Sequence, residues 1–229
     1  MRTLIKAIRS LAQGHASACL LCRLYPAQPA RSVCANCWQE LPWLLQATAL
    51  SHQSMPHHIL PHHSLPNRSM SHSVQAACHY VWPVDRLIHQ YKYQQRLELL
   101  PILHDILLQT PKPAVQALVA VPSSPEKLVT RGFNPTLLLA QQLSKTWQIP
   151  LWQPLSRHHT PAQQGLSQTE RFINLQDAFY INTDQCRVIY RKILIIDDVM
   201  TTGSTLAAMQ QQLDKLGVQQ IQSLVIARA

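Results

Sequence analysis

Ile193-Leu194-Ile195-Ile196-Asp197-Asp198-Val199-Met200-Thr201-Thr202-Gly203-Ser204-Thr205 places four large aliphatic residues before two carboxylates and a hydroxyl-rich turn. An unbroken apolar run of this kind reads as a strand buried on both faces, which is what a parallel sheet requires. The turn opens a helix over Ser204 to Leu216, ended by Gly217. A helix start presents unpaired backbone N–H groups and the positive end of the helix dipole. The turn can therefore hold a phosphate dianion, with the Thr201, Thr202, Ser204 and Thr205 hydroxyls as further donors. The chain has five glycines in 229 residues, so Gly203 at this turn has a specific task, letting the backbone approach a ligand. Asp197 and Asp198 are acceptors suited to vicinal sugar hydroxyls or to a hydrated Mg²⁺. Phosphate at one end and a diol at the other describe a ribose 5-phosphate. An isolated Asp-Asp pair would be read as a helix cap plus two residues facing opposite sides of a strand. The uninterrupted thirteen-residue string is what makes the chemical reading specific.

Around this string, strands alternate with helices. Val74 to Trp82 reads as a strand, Asp85 to Leu108 as a helix broken near Pro101, and Ala117 to Val121 as a short buried strand. Asn134-Pro135 is an N-cap followed by proline at the first helical position, opening a helix through Trp147. Leu151 to Leu155 is a short strand, Ser167-x-x-Glu170 a capping box for a small helix, Val188 to Asp197 a strand, and Val218 to Ala227 the last strand. The expectation is an α/β fold with a mainly parallel sheet covered by helices on both faces and its site at the strand C-terminal ends.

The N-terminal part has a different character. Cys19-x2-Cys22 and Cys34-x2-Cys37 are separated by eleven residues, and four thiolates so spaced can close a tetrahedral shell around a structural Zn²⁺. Two disulfides or a redox pair are the rival readings. Cys78 and Cys186 stand alone in apolar surroundings that suit reduced, buried thiols. Leu4, Ile8 and Leu11 recur at helical spacing, and Lys6 with Arg9 interrupts what would be the uncharged stretch of a secretory signal. Trp38 to Leu50 carries enough apolar surface for a short packing segment, and residues 51–73 hold six of the twelve histidines and three prolines with no period. The expected organisation is a helix and four-cysteine finger over 1–50, a His/Pro/Ser-rich linker over 51–73, and over 74–229 the α/β domain that carries the ribose-phosphate motif, phosphoribosyltransferase-like by the resemblance described below.

Twenty Lys/Arg against eleven Asp/Glu give a formal charge of +9, with five basic residues and one acid in the first fifty positions. An anionic partner is implied, but charge alone does not separate nucleic acid from a phosphorylated small molecule. No apolar run reaches the ~18–20 residues of a membrane span. The aromatics, at 6%, lack the basic-aromatic interleaving of a single-strand platform.

The thirteen-residue string resembles the phosphoribosyl-diphosphate motif of type I phosphoribosyltransferases. Further segments extend the likeness: Lys92-Tyr93, Val121-Pro122, Arg131-Gly132-Phe133-Asn134, Arg157 through Thr160, Gln163, Leu166-Ser167, Glu170-Arg171, Asn174 and Ala178-Phe179. With the cysteine pairs, they make the chain similar to the ComF family, associated with DNA uptake in natural competence. The resemblance implies a type I phosphoribosyltransferase-like fold with an N-terminal zinc finger, a cytoplasmic location, and Mg²⁺ with phosphoribosyl diphosphate as ligand. It also implies single-stranded DNA and other uptake proteins as further partners.

In that scheme Thr201 to Thr205 anchor the 5-phosphate, Asp197 and Asp198 orient the ribose and the metal shell, and Pro122-Ser123-Ser124 offer amides to the diphosphate. Arg131 would supply charge to the leaving group, while Lys92, Arg157, Gln163 and Arg171 are candidates for the acceptor side or for closing over the site. A non-catalytic accessory that binds single-stranded DNA, or an assembly module using the pocket for regulation, is the alternative.

Overall fold

A computed structural model of the chain describes residues 18–28, 31–44, 71–158 and 178–229. Its main sheet has four strands in the order β1 (Ser71–His79), β6 (Gln220–Arg228), β5 (Lys192–Met200), β2 (Ala117–Ala120), and every neighbouring pair is parallel. Leu151 adds a single parallel bridge to Leu118 on the far side of β2. A separate antiparallel hairpin joins β3 (Leu155–Arg157) to β4 (Phe179–Ile181).

The aliphatic run at 193–196 explains this layering. In the central strand β5, Leu194 and Ile196 point to one face of the sheet and Ile193 and Ile195 to the other, all buried. The first face packs against α2 (Val84–Tyr93), α3 (Leu100–Leu107) and α5 (Pro135–Trp147), through residues such as Leu87, Ile88, Ile102, Leu139 and Leu143. The second packs against α6 (Ser204–Lys215) through Leu206, Met209 and Leu213, and against the hairpin through Leu155 and Phe179. Full burial of each such side chain is worth about 1.5–3 kcal/mol, so one polar replacement in the run would be felt across both layers.

Several element limits differ from the sequence reading, each for a local reason. β5 begins at Lys192 rather than Val188 and runs through both acids to Met200, because its ladder with β6 spans that stretch while β2 pairs only with 193–196; Val188 and Ile189 stay exposed. The helix break falls at Gln94–Arg96, where Gln95 takes a left-handed φ of 54°, while Pro101 sits harmlessly in the first turn of α3. The strand expected at 151–155 is only the Leu151 bridge followed by the start of β3; Pro154, lacking an N–H, interrupts any ladder between them. β1 starts at Ser71, so the last three positions of the expected 51–73 linker belong to a strand, and residues 51–70 lie outside the described ones. The N-terminal helix and the capping-box helix after Ser167 also lie outside them.

The cysteine-bearing segment shares the core of the sheet. Val33, Trp38 and Leu41 belong to the same buried cluster as Leu87 and Leu99. The chain after α1 (Ala35–Gln39) runs along the outer edge of β1. The Leu44 N–H donates to the Ala77 carbonyl at 2.9 Å and the His79 N–H donates to the Pro42 carbonyl at 2.8 Å. That contact covers backbone groups an edge strand would otherwise leave open. Among the described residues, no helix is long and apolar enough to cross a membrane.

Candidate functional site

The connection after β2 leads through α4 (Pro125–Arg131) to α5 on one face of the sheet, whereas the connection after β5 leads to α6 on the other. Where two neighbouring parallel strands send their chains to opposite faces, a crevice opens beyond their C-terminal ends. β2 and β5 pair with Ala120 opposite Ile196, so Pro122-Ser123-Ser124 leave the end of β2 beside Asp197-Asp198, which β5 still carries in its ladder with β6. The sheet thus brings together the two loops the sequence assigned to one ligand.

Asp198 is buried, 5% exposed, and faces α2. Its oxygens lie 3.0 and 2.9 Å from Lys92 Nζ, and one accepts the Val199 N–H at 2.7 Å. Burial disfavours the Lys92 ammonium, but the Asp198 charge and hydrogen bond outweigh it and hold the group above its ordinary value. Asp197, on the other side of the strand, accepts the Asp198 N–H at 2.9 Å. Burial, and then the Asp198 carboxylate, push Asp197 well above the usual carboxylate range; the Asp198 amide, Lys92 and Arg157 oppose that shift.

Thr201 and Thr202 are exposed, and Gly203 takes a left-handed φ of 77° as the cap of α6. A side chain there would be strained, which accounts for one of the rare glycines standing at this turn. The Thr202 and Ser204 hydroxyl oxygens lie 3.0 Å apart, and the Ser204 N–H reaches Thr202 Oγ1 only at 3.4 Å. These hydroxyls form no hydrogen bond to the acids.

Ser124 is buried at the cap of α4, which ends at Gly132 with φ 75°. Asn134 caps α5 by accepting the Thr136 N–H at 3.1 Å and donates to the Val121 carbonyl at 3.1 Å. The Arg-Gly-Phe-Asn string therefore ties both helices to the end of β2. Arg131 lies over the Tyr93 ring, 4.6 Å from its centroid, and not on either carboxylate.

Two further cations enter from elsewhere. Arg157, carried by the hairpin, lies 5.3 Å over the Phe179 ring and has a buried Nε with no hydrogen-bond partner among the described residues. Burial pulls Arg157 below its usual value, against the pull of Asp197 and Glu126. Lys127 on α4 is lowered by partial burial and by the crowding of Arg157, Arg131 and Lys92. The sequence reading missed Lys127; its one signal was a position three residues past Ser124, in the helix leaving the loop. Gln163 and Arg171 lie outside the described residues.

The four cysteines form a separate centre. Their sulfurs lie within 4.8 Å of one another, with Cys22 Sγ 3.8 Å from Cys34 Sγ. A tetrahedral ion with bonds of ~2.3 Å places its sulfurs about 3.8 Å apart, so the cluster fits a metal such as zinc. Burial raises Cys19, but N–H groups of the knuckles overcome it and bring the thiol down to about 6, while burial and the neighbouring sulfurs push Cys37 up. All six cysteines are free, and burial pushes Cys78 up to about 12, leaving it an inert core thiol.

No protein-family model matches the chain. Over 161 residues it is 35% identical to Competence protein F of Haemophilus influenzae, covering 66% of this chain and 70% of that protein. It is 34% identical over 160 residues to DNA utilization protein YhgH of Escherichia coli K12, covering 65% and 69%. Competence protein ComFC of Streptococcus pneumoniae is 27% identical over 110 residues, 48% of this chain and 47% of that one. Among solved structures, orotate phosphoribosyltransferase from Aeropyrum pernix overlaps 59% of this chain and 63% of its own, at 17% identity and a TM-score of 0.37. Adenine phosphoribosyltransferase from Saccharomyces cerevisiae overlaps 60% and 72%, at 13% identity and a TM-score of 0.36.

Proposed function

The chain belongs to the competence protein F family, and from that premise we propose that the crevice between β2 and β5 binds Mg²⁺ with phosphoribosyl diphosphate, as the phosphoribosyltransferase-type site of a cytoplasmic protein serving DNA uptake. The observation that carries this reading is the meeting of Asp197, Asp198 and the open Thr201 to Thr205 turn with Lys92, Lys127 and Arg157 around one strand end. A surplus of cations beside two acids suits a ligand that brings several negative charges together with a divalent cation. The unpartnered Arg157 Nε supports an anion there. The six free thiols support a reducing compartment, and the sulfur spacing supports a structural zinc.

In the proposed reaction an acceptor nucleophile forms a bond to C1 of the ribose as the C1–O bond to diphosphate breaks, a step governed by positioning and charge neutralisation. The turn amides and hydroxyls of Thr201 to Thr205 hold the 5-phosphate. The Ser123 and Ser124 amides face the diphosphate, with Pro122 shaping the loop, and Lys127 and Arg131 supply positive charge to the departing group. Both Asp198 oxygens are engaged by Lys92, so Asp198 acts on the ribose hydroxyls from a fixed position. Asp197 keeps an oxygen for the hydrated cation, which when bound would offset charge on the diphosphate.

Calorimetric titration of the wild type with Mg²⁺ and phosphoribosyl diphosphate should give saturable heat, with affinity lost by about a hundredfold in Asp197→Asn/Asp198→Asn. The proton on Asp197 competes with the cation, so affinity should tighten as pH rises through the raised ionisation of that carboxyl. No heat in the wild type at any pH would overturn the proposal.

A further inference from the structure

Away from the strand end, a cavity of about 640 Å³ lies between the cysteine segment and α2, lined by apolar residues that include Leu20, Leu21, Pro83, Leu87 and Leu99. Of its lining residues Trp82 is 74% exposed, and Leu24, Tyr25 and Val81, close in sequence to the lining residues Arg23 and Trp82, are 79%, 54% and 51% exposed. A cavity of this size lined mainly by aliphatic carbon, with an exposed indole at its edge, has the anatomy of a recognition surface. Its charges are one-sided. Arg96 is satisfied by Glu98 at 2.7 Å and by Gln90 at 2.8 Å, whereas Arg23 and Arg86 have no ion-pair partner among the described residues, and Glu40 is the one acid among the lining residues.

We propose that this groove docks an acidic, amphipathic segment of a partner protein, its apolar side chains filling the cavity beside Trp82 and its carboxylates meeting Arg23 and Arg86. Charge selects this occupant. Residues 1–17 of the same chain carry Arg2, Lys6 and Arg9 and no acid, and a second copy brings a formal +9; either would set like charges against the two arginines. A nucleic-acid strand would use the arginines but leave the aliphatic floor without a counterpart. The surface is independent of the phosphoribosyl proposal.

The test uses the full, zinc-loaded chain and two labelled synthetic helices of about five turns, sharing one Leu/Phe stripe and carrying Glu or Lys at every other position. Fluorescence anisotropy should show the Glu helix binding at least about tenfold tighter than the Lys helix. Trp82→Ala should weaken it about tenfold, and Arg86→Glu should reverse the preference. Both side chains are exposed, so zinc content, melting temperature and heat from Mg²⁺ with phosphoribosyl diphosphate should match wild type; these readouts separate failure here from failure of the phosphoribosyl reading. Any of four results overturns the proposal: no saturable binding of the Glu helix, affinity indifferent to charge or to both substitutions, displacement of the helix by oligo-dT, or self-association abolished by Trp82→Ala.

Discussion

The cysteine centre and the acid centre are built on opposite plans. The four thiols come from nineteen consecutive residues, 19 to 37, and their own backbone turns hold them within 4.8 Å. The charged groups around β5 come from α2, α4, the hairpin and β5 itself, so Lys92 meets Asp198 across 106 positions of sequence. A local centre depends on its own turns and on a metal. A dispersed centre depends on the whole sheet being in register, and its charges are tuned by burial and by one another.

The sharpest break of this contrast is at the cysteines. Cys34→Ser, or chelation of the wild type, should remove about one zinc per chain and cost on the order of 5 kcal/mol, because the segment contributes Val33, Trp38 and Leu41 to the shared core. Metal analysis with denaturant unfolding checks it; unchanged stability after metal loss would mean the thiols hold themselves.

Lys92→Met should come next, at about 3–5 kcal/mol, since it leaves the Asp198 carboxylate buried without its counter-charge. Adding Asp198→Asn should restore most of that loss. A simple sum of the two single losses would contradict a coupled pair.

The smallest expected effect has the opposite sign. Because the folded state raises Asp197 above its unfolded value near 4, stability is fully present below that value and is lost as pH climbs toward the raised one. Asp197→Asn should therefore be more stable than wild type at neutral pH, by about 1–3 kcal/mol, and equal to it near pH 4. Equal pH slopes in the two proteins would show that Asp197 is not the group responsible.

Legibility followed the same division. Asn134-Pro135 read correctly as the start of a helix ending at Trp147, because the cap and the proline act within one turn. The cysteine spacing and the Ile193–Ile196 run were equally plain, as was the Thr-Thr-Gly-Ser-Thr turn. Lys127 was not legible, because a lone lysine on a short helix carries no local mark; only its partial burial and the neighbouring Arg157, Arg131 and Lys92 distinguish it. Nor was the Trp82 groove, whose walls come from segments about sixty residues apart.

By itself the sequence determined the metal-type cluster, the central buried strand and the hydroxyl-rich turn into a helix after it, since each rests on interactions spanning a few residues of backbone. Tertiary structure alone decided that Lys92 would occupy both oxygens of Asp198, that Arg157 would come from a hairpin to within electrostatic reach of Asp197, and that an apolar groove would open beside the finger. Charge interaction and burial depend on distance through space, and distance through space is set only when the sheet has closed.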